Sequence, residues 1–233
     1  MPRTRLFLLL LLLPLAHLAG GQTLHQPGYW LRAYLRVKLT DRWTWHSELD
    51  ERRLLRPGRQ WQLITHQHLH YRLATPLAVG LGLSYSRQPP VSGGPALQEG
   101  RGFAEATLTT PLSQRVHLLS RLRLEQRWLE PAATELPAPW TTRARLRYRL
   151  QTDWQLADRW KLRASDELLL NPNSFDQNRL YAGTEHQLGA GFAAELGYLW
   201  LYQRRYHRPD YLDRHVLRLT LSKDLLLHRP PQS

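Results

Sequence analysis

The sequence predicts an all-β protein: an antiparallel transmembrane β-barrel of about 12 strands (10–12) whose lumen is rich in Arg and Glu. Three observations predict this fold. Apolar and polar residues alternate along most of the chain, the alternating segments run for 10–13 residues, and short and long connections alternate between them. Such segments exceed the ~5–6 residues typical of soluble strands and match the ~9–11 that cross a bilayer at a tilt. Alternating short turns and longer loops are typical of outer-membrane barrels.

The alternation is clearest in residues 143–150, where four Arg at odd positions interleave with Ala144, Leu146, Tyr148 and Leu150. In a helix, at about 100° per residue, the Arg side chains would split onto two nearly opposite sides. In a strand they share one face, and the apolar residues share the other. This segment is therefore predicted to be a strand with one charged face.

The same reasoning divides the chain into eleven strand segments. They are 29–39, 43–53, 61–73, 77–87, 101–110, 116–128, 140–151, 160–170, 179–188, 192–203 and 213–222. The short connections are 40–42, 74–76, 111–115, 152–159 and 189–191, and the longer ones surround 57–58, 88–100, 129–139, 171–178 and 204–212. Because bacterial single-chain barrels have an even number of strands, residues 225–228 are considered as a short twelfth strand.

The first residues predict export. Arg3 and Arg5 precede a short apolar run, 6–15, and the small residues 19–21 follow it, which is the pattern of a secretory signal peptide. Residues 1–21 are therefore expected to be cleaved from one mature domain, 22–233, that resides in the cell outer membrane. Removing them lowers the net charge from +13 to +11. The absence of Cys excludes a disulfide scaffold, a Cys-ligated zinc site and a Cys nucleophile.

Alternation alone does not distinguish a membrane barrel from a soluble all-β protein with the leucines inside, so the placement of other residues is needed. The small residues Ala78, Gly80 and Gly82 fall on the polar face of 77–87, where they would leave room inside a crowded lumen. Aromatic residues lie near the segment ends, as in an interfacial girdle. They are Tyr29, Trp30, Trp43, Trp45, Trp61, Tyr71, Tyr85, Trp128, Trp140, Trp160, Trp200 and Tyr202. These features favour leucines that face lipid.

Several blocks resemble an uncharacterised family, catalogued as domain of unknown function 2490 and found mostly in Gram-negative bacteria. The most specific block is Phe-Asp-Gln-Asn-Arg at 175–179, and further matches lie at 195–198, 121–127, 143–148 and 43–51. The resemblance covers most of the mature chain. It implies an outer-membrane β-barrel and no established activity.

The predicted lumen carries a network of opposite charges. Its candidate members are Arg121, Arg123, Glu125, Arg127, Arg143, Arg145, Arg147, Arg149, Glu167, Arg179, Glu185 and Glu195. One interpretation is a set of cross-strand ion pairs that fill and stiffen the barrel. The other is a positive pore that favours anions, since rings of Arg and Lys select anions.

Other polar residues suggest further chemistry without selecting a site. His66, His68 and His70 share one strand face, but a metal ion would need ligands from other strands too. A Ser-His-acid set is possible from Ser84, Ser86, His117 or His186 with several Glu, and no spacing selects a trio. Nucleic-acid binding is disfavoured, because the chain is exported and its basic residues alternate along strands.

The sequence therefore predicts a non-enzymatic outer-membrane barrel that is structural or forms a narrow passive, possibly anion-favouring pore, with no cofactor and no metal. The alternative is a barrel enzyme that acts on lipid or lipopolysaccharide. The expected partners are outer-membrane lipid, lipopolysaccharide and the barrel-assembly machinery.

Overall fold

The computed structural model describes residues 23–90, 96–130, 140–205 and 210–227. These residues form eleven strands that close into one barrel. The strands are β1 (Thr23–Lys38), β2 (Trp43–Leu54), β3 (Arg59–Arg72), β4 (Leu77–Gln88), β5 (Leu97–Pro111), β6 (Val116–Glu130), β7 (Thr141–Ala157), β8 (Trp160–Asn171), β9 (Ser174–Gly189), β10 (Phe192–Arg204) and β11 (Tyr211–Leu226). The predicted signal peptide, 1–21, lies outside the described residues. Within them, no helix has the length and hydropathy that a helical membrane span requires.

The barrel closes through one parallel pair. Each strand pairs antiparallel with the next, whereas β1 and β11 run parallel from Thr23↔Tyr211 to Lys38↔Leu226. An odd number of alternating strands leaves the first and last pointing the same way, so the closing pair must be parallel. The predicted all-β barrel is confirmed, and its eleven strands fall within the predicted 10–12. The purely antiparallel pairing is wrong, because the closing pair is parallel. Residues 225 and 226 are the last two of β11 rather than a twelfth strand.

Two predicted connections are also shorter than expected. The β8–β9 ladder continues to Asn171↔Ser174, so most of the predicted loop 171–178 is strand. Similarly, β7 continues to Ala157, which leaves only 158–159 before β8. The turns at 39–42, 73–76, 112–115, 158–159 and 190–191 define what we call the short-turn end. The strand β1 starts at the opposite end, and β11 finishes at the short-turn end.

The two faces of the sheet are chemically opposite. Leucines point outward and are exposed, with Leu81 at 69% and Leu124 at 59% of full exposure. Charged side chains point inward and are buried, with Glu125 at 4% and Arg147 at 7%. The structure therefore has the predicted apolar exterior and charged interior. The alternative with leucines filling a dry core is wrong.

The aromatic residues divide between the two faces. Trp43, Trp128 and Trp160 lie at strand ends on the outer surface and are exposed. In contrast, Trp30 is buried inside, and Trp61 packs against it with ring centroids 5.9 Å apart. Their predicted place in an outer girdle is wrong. Trp30 lies two positions from the inward-facing Arg32. Trp61 is left unpaired by a register shift in the β2–β3 ladder, which breaks the alternation there. Together with Leu199, Leu201 and Val216, Trp30 forms an apolar cluster within the barrel.

The glycines on the inner face of β4 make space, as predicted. A Cβ atom on Gly82 would lie 2.3 Å from the ring of Phe103, and one on Gly80 would lie 3.2 Å from the ring of His70. Real Cβ atoms essentially never approach another heavy atom as closely as the first of these distances. The missing side chains therefore let the rings of the neighbouring strands lie flat against β4.

Candidate functional site: the charged lumen

A cavity of about 1120 Å³ runs through the barrel and is lined by residues from all eleven strands. Its lining reaches Thr75 and Pro76 at the short-turn end and Arg204 and Arg205 at the other end. It contains more than twice as many Arg and Lys side chains as Asp and Glu side chains. The described residues thus enclose a positively charged space that extends along most of the barrel.

The densest charge cluster surrounds Glu167 on β8. Its carboxylate accepts hydrogen bonds from Arg121 at 2.7 Å and Arg147 at 2.8 Å, and lies 3.3 Å from a guanidinium nitrogen of Arg179. Glu167 is only 5% exposed. One buried carboxylate therefore holds three guanidinium groups that belong to three different strands.

The same pattern repeats around the lumen. Glu125 accepts from Arg145 at 2.8 Å and from Arg147 at 2.8 Å, so Arg147 bridges two carboxylates. Glu99 accepts from Arg101 at 2.7 Å and also contacts Arg127. The Glu99–Arg101 pair lies within β5, whereas the pairs with Arg127, Arg145 and Arg147 each join one strand to the next. Charge-assisted hydrogen bonds of this kind are stronger than neutral ones.

All twelve candidate members of the predicted network lie on the inward side of β6–β10. Those on the cavity wall are Arg121, Arg123, Arg127, Arg145, Arg147, Arg149, Glu167, Arg179, Glu185 and Glu195. Glu125 is buried among its Arg partners, and Arg143 lies half-buried opposite Arg127. Glu185 accepts from Lys161 at 2.8 Å, and Glu195 accepts from the hydroxyl of Tyr181 at 2.7 Å.

Several buried charges were missed by the sequence reasoning. Asp50 accepts from Arg32 at 2.6 Å and from Arg52 at 2.8 Å, and Asp176 accepts from Arg145 at 3.1 Å. Asp50 and Arg52 share the parity of Glu48, which lines the cavity, so the alternation along β2 contained the signal. Asp176 fell in a segment that was predicted to be a loop.

Among the described cations that line the cavity and are not exposed, two make no salt bridge to a described carboxylate. The guanidinium of Arg214 binds only the amide oxygens of Gln26, at 2.9 Å, and Gln203, at 3.3 Å. Arg149 makes neither a salt bridge nor a hydrogen bond to any described side chain, and both residues line the cavity. Arg149 stands opposite Glu167 in the β7–β8 ladder without a direct ion pair, so both guanidinium groups contribute positive charge that no direct ion pair with a described carboxylate neutralises.

The structure does not assemble a triad from the predicted Ser and His residues. His186 points outward and packs on Trp160, and His117 is exposed at the start of β6. Ser84 instead lies inside, opposite His66 in the β3–β4 register. Both the Ser84 hydroxyl and Nδ1 of His66 are buried, and neither has a hydrogen-bond partner in the part of the chain that the structure describes.

Comparison with known proteins gives a family and no activity. No curated protein matches the chain. A family model described as "Protein of unknown function (DUF2490)" matches residues 27–212, which extend from β1 into β11. The matched part contains the charged lumen and the Phe-Asp-Gln-Asn-Arg block on which the resemblance was based. The chain therefore belongs to the DUF2490 family of proteins of unknown function.

Proposed function

We propose that this protein is a barrel of the bacterial outer membrane that forms a narrow passive pore favouring anions. The observation that carries the proposal is the combination of an apolar outer surface with a long cavity in which cationic side chains outnumber acidic ones. An apolar surface suits lipid, and a positive lumen lowers the free energy of an anion inside it.

The outer surface supports the membrane location. Strands of 12–17 residues exceed the ~9–11 that a tilted crossing needs, and exposed leucines occupy their central outward positions. Exposed tryptophans at strand ends match the interfacial preference of indole rings. In this proposal the barrel-assembly machinery inserts the barrel, and its exterior contacts lipid and lipopolysaccharide.

The interior supports anion selectivity. Most lumenal Arg residues already share a carboxylate, so they contribute less to the net potential than their number implies. Arg149 and Arg214 make no direct ion pair with a described carboxylate, and they lie at different heights of the cavity wall. An anion that moves through the lumen would meet both of these charges.

Planar-bilayer recording under a KCl gradient tests the proposal. The natural protein is expected to give unit currents whose reversal potential indicates preference for chloride. In the double variant Arg149→Gln with Arg214→Gln, the chloride-to-potassium permeability ratio should fall towards one. Arg87→Gln is the control, because it removes a positive charge from the exposed outer face of β4 and none from the lumen. Absence of unit current above background would rule out the pore.

The second candidate function is a barrel enzyme that acts on lipid or lipopolysaccharide. The cross-strand pairing of Ser84 with His66 favours it, since it brings a hydroxyl and an imidazole to the same inner face, although no hydrogen bond joins them. A lipid-hydrolysis assay of the natural protein and the Ser84→Ala and His66→Ala variants tests this alternative. Equal activity in all three proteins would exclude the site.

A further inference from the structure

A cluster of histidines lies on the lumen wall near the short-turn end. His46 on β2 stands opposite His68 on β3, and His70 follows two residues later on the same face. Each residue offers a ring nitrogen, and these nitrogens lie within 4.8 Å of one another. The rings of His46 and His70 are stacked, with centroids 4.3 Å apart. The cluster therefore combines His68 and His70 with a partner from β2.

Glu105 on β5 reaches this cluster from two strands away. Gly80 on β4 pairs with both His70 and Glu105 in the ladder, so it lies directly between them. Because Gly80 has no side chain, the two neighbours meet across it, with His70 Nε2 at 3.0 Å from Glu105 Oε1. The same carboxylate oxygen lies 3.5 Å from His68 Nδ1.

These three atoms form a triangle of the size that a tetrahedral metal ion requires. The third side, between His68 Nδ1 and His70 Nε2, is 3.1 Å. Zinc bonds to nitrogen and oxygen of about 2.0–2.1 Å place neighbouring tetrahedral ligands roughly 3.3–3.4 Å apart. The observed sides of 3.0, 3.1 and 3.5 Å bracket this distance. A small ion placed at equal distances from these three atoms would need only small shifts of the side chains.

The carboxylate oxygen that faces the histidines is otherwise unsatisfied. Glu105 is 6% exposed, and its Oε1 atom is buried without a hydrogen-bond partner among the described residues, because neither His contact has hydrogen-bond geometry. Its other oxygen, Oε2, accepts from Arg123 at 2.8 Å. Arg123 thus orients the carboxylate and leaves Oε1 directed at the two imidazoles. A buried oxygen of this kind is costly without a partner.

Neighbouring groups also orient the imidazoles for metal binding. His68 Nε2 lies 2.9 Å from a carboxylate oxygen of Glu48, so a proton on Nε2 leaves the Nδ1 lone pair facing His70 and Glu105. Carboxylates commonly hold metal-binding histidines in this way. On the other side, the hydroxyl of Tyr34 lies 2.6 Å from His46 Nδ1, which leaves Nε2 of His46 available.

We propose that His68 Nδ1, His70 Nε2 and Glu105 Oε1 bind a divalent first-row transition metal ion, with His46 as the neighbouring fourth donor. Two or three imidazoles with one carboxylate form a ligand set that suits Zn²⁺. The short contact between the ring nitrogens of His68 and His70 requires a proton on one of them, and the metal ion displaces it. The site does not depend on the proposed pore.

Calorimetric titration of the tag-free, folded barrel with ZnCl₂ after chelator treatment tests the site. We expect one ion per chain. Binding should be lost in the double variant His70→Gln with Glu105→Gln, and Glu48→Gln should weaken it by about 10–100-fold because Glu48 only orients His68. The control is His25→Ala with His215→Ala, which removes a separate cluster around Asp213 on the outer face. This control should bind as the natural protein does.

A second measurement does not depend on the folding of any variant. Co²⁺ added to the natural protein should give the intense visible absorption of a tetrahedral ion, and added Zn²⁺ should abolish it. The weak spectrum of an octahedral ion would overturn the proposal. So would the absence of stoichiometric zinc binding, or binding that survives the His70/Glu105 change in a variant with normal heat-modifiable gel mobility.

Discussion

Buried carboxylates hold the interior of this barrel together at the scale of single residues. Glu167 contacts Arg121, Arg147 and Arg179, and these four residues come from four strands. Removing one partner of a buried ion pair leaves the remaining charges unpaired. The cost of that change greatly exceeds the net benefit of forming the pair, because the unpaired charges remain out of water.

The first prediction concerns Glu167→Gln, which keeps the shape of the side chain and removes its charge. It should lower the free energy of unfolding by about 3–5 kcal/mol, because three guanidinium groups lose their shared counterion. Urea titration of the protein in lipid vesicles, followed by tryptophan fluorescence, measures the change. Asp224→Asn is the control, since its pair with Arg36 is half-exposed and should contribute less than about 1 kcal/mol. Equal effects of the two substitutions would contradict this explanation.

The parallel pairing of β1 and β11 is the distinctive feature at the scale of elements. All other neighbours are antiparallel and are joined by a connection along the chain, whereas β1 and β11 are the two ends of the barrel sequence. Sixteen consecutive residue pairs join them. Closure of the barrel therefore depends on a junction that forms between the most distant strands, which is a slow class of contact in folding.

An engineered disulfide tests this junction. Leu31 pairs with Leu219, both side chains are exposed on the outer face, and the natural chain has no Cys to interfere. Leu31→Cys with Leu219→Cys should cross-link on mild oxidation and shift the mobility of the unreduced protein on a gel. The pair Leu31→Cys with Leu217→Cys should not cross-link. A shift of two residues along β11 separates the two Cα atoms by about 8 Å, which is too far for a disulfide. Efficient cross-linking of the second pair alone would refute the register.

At the scale of the whole molecule, the outward leucines determine where the barrel is stable. Leu124 lies near the middle of β6, whereas Leu227 follows the end of β11. If lipid surrounds the barrel, Leu124→Arg should cost about 2–4 kcal/mol of stability in vesicles and Leu227→Arg only about 0–1 kcal/mol. Urea titration in vesicles measures both. Equal costs at the two depths would argue that water rather than lipid surrounds the barrel.

The sequence contains most of this architecture because the alternation is local. All eleven strand positions and the charged inner face follow from the parity of residues such as Arg143, Arg145 and Arg147. The strand ends at 157 and 174 do not follow, since hydrogen bonds to a neighbouring strand extend them past residues that resemble loops. The residues themselves indicated eleven segments, as observed, and the preference for twelve came from a general rule about barrels.

The candidate sites were harder to predict, because they depend on register between strands. His68 and His70 are recognisable in the sequence, but their proximity to His46 and Glu105 depends on pairing across β2–β5. The role of Gly80 as a gap between His70 and Glu105 depends on the same register. Parity indicates which face a residue occupies, and only register indicates its neighbours.

The parallel junction also gives the molecule a direction. Because β1 and β11 run the same way, the chain enters the barrel at one rim and leaves it at the other. In a membrane, an epitope inserted just before β1 and another just after β11 would be displayed in different compartments. A protease added to sealed vesicles would then remove one epitope and spare the other.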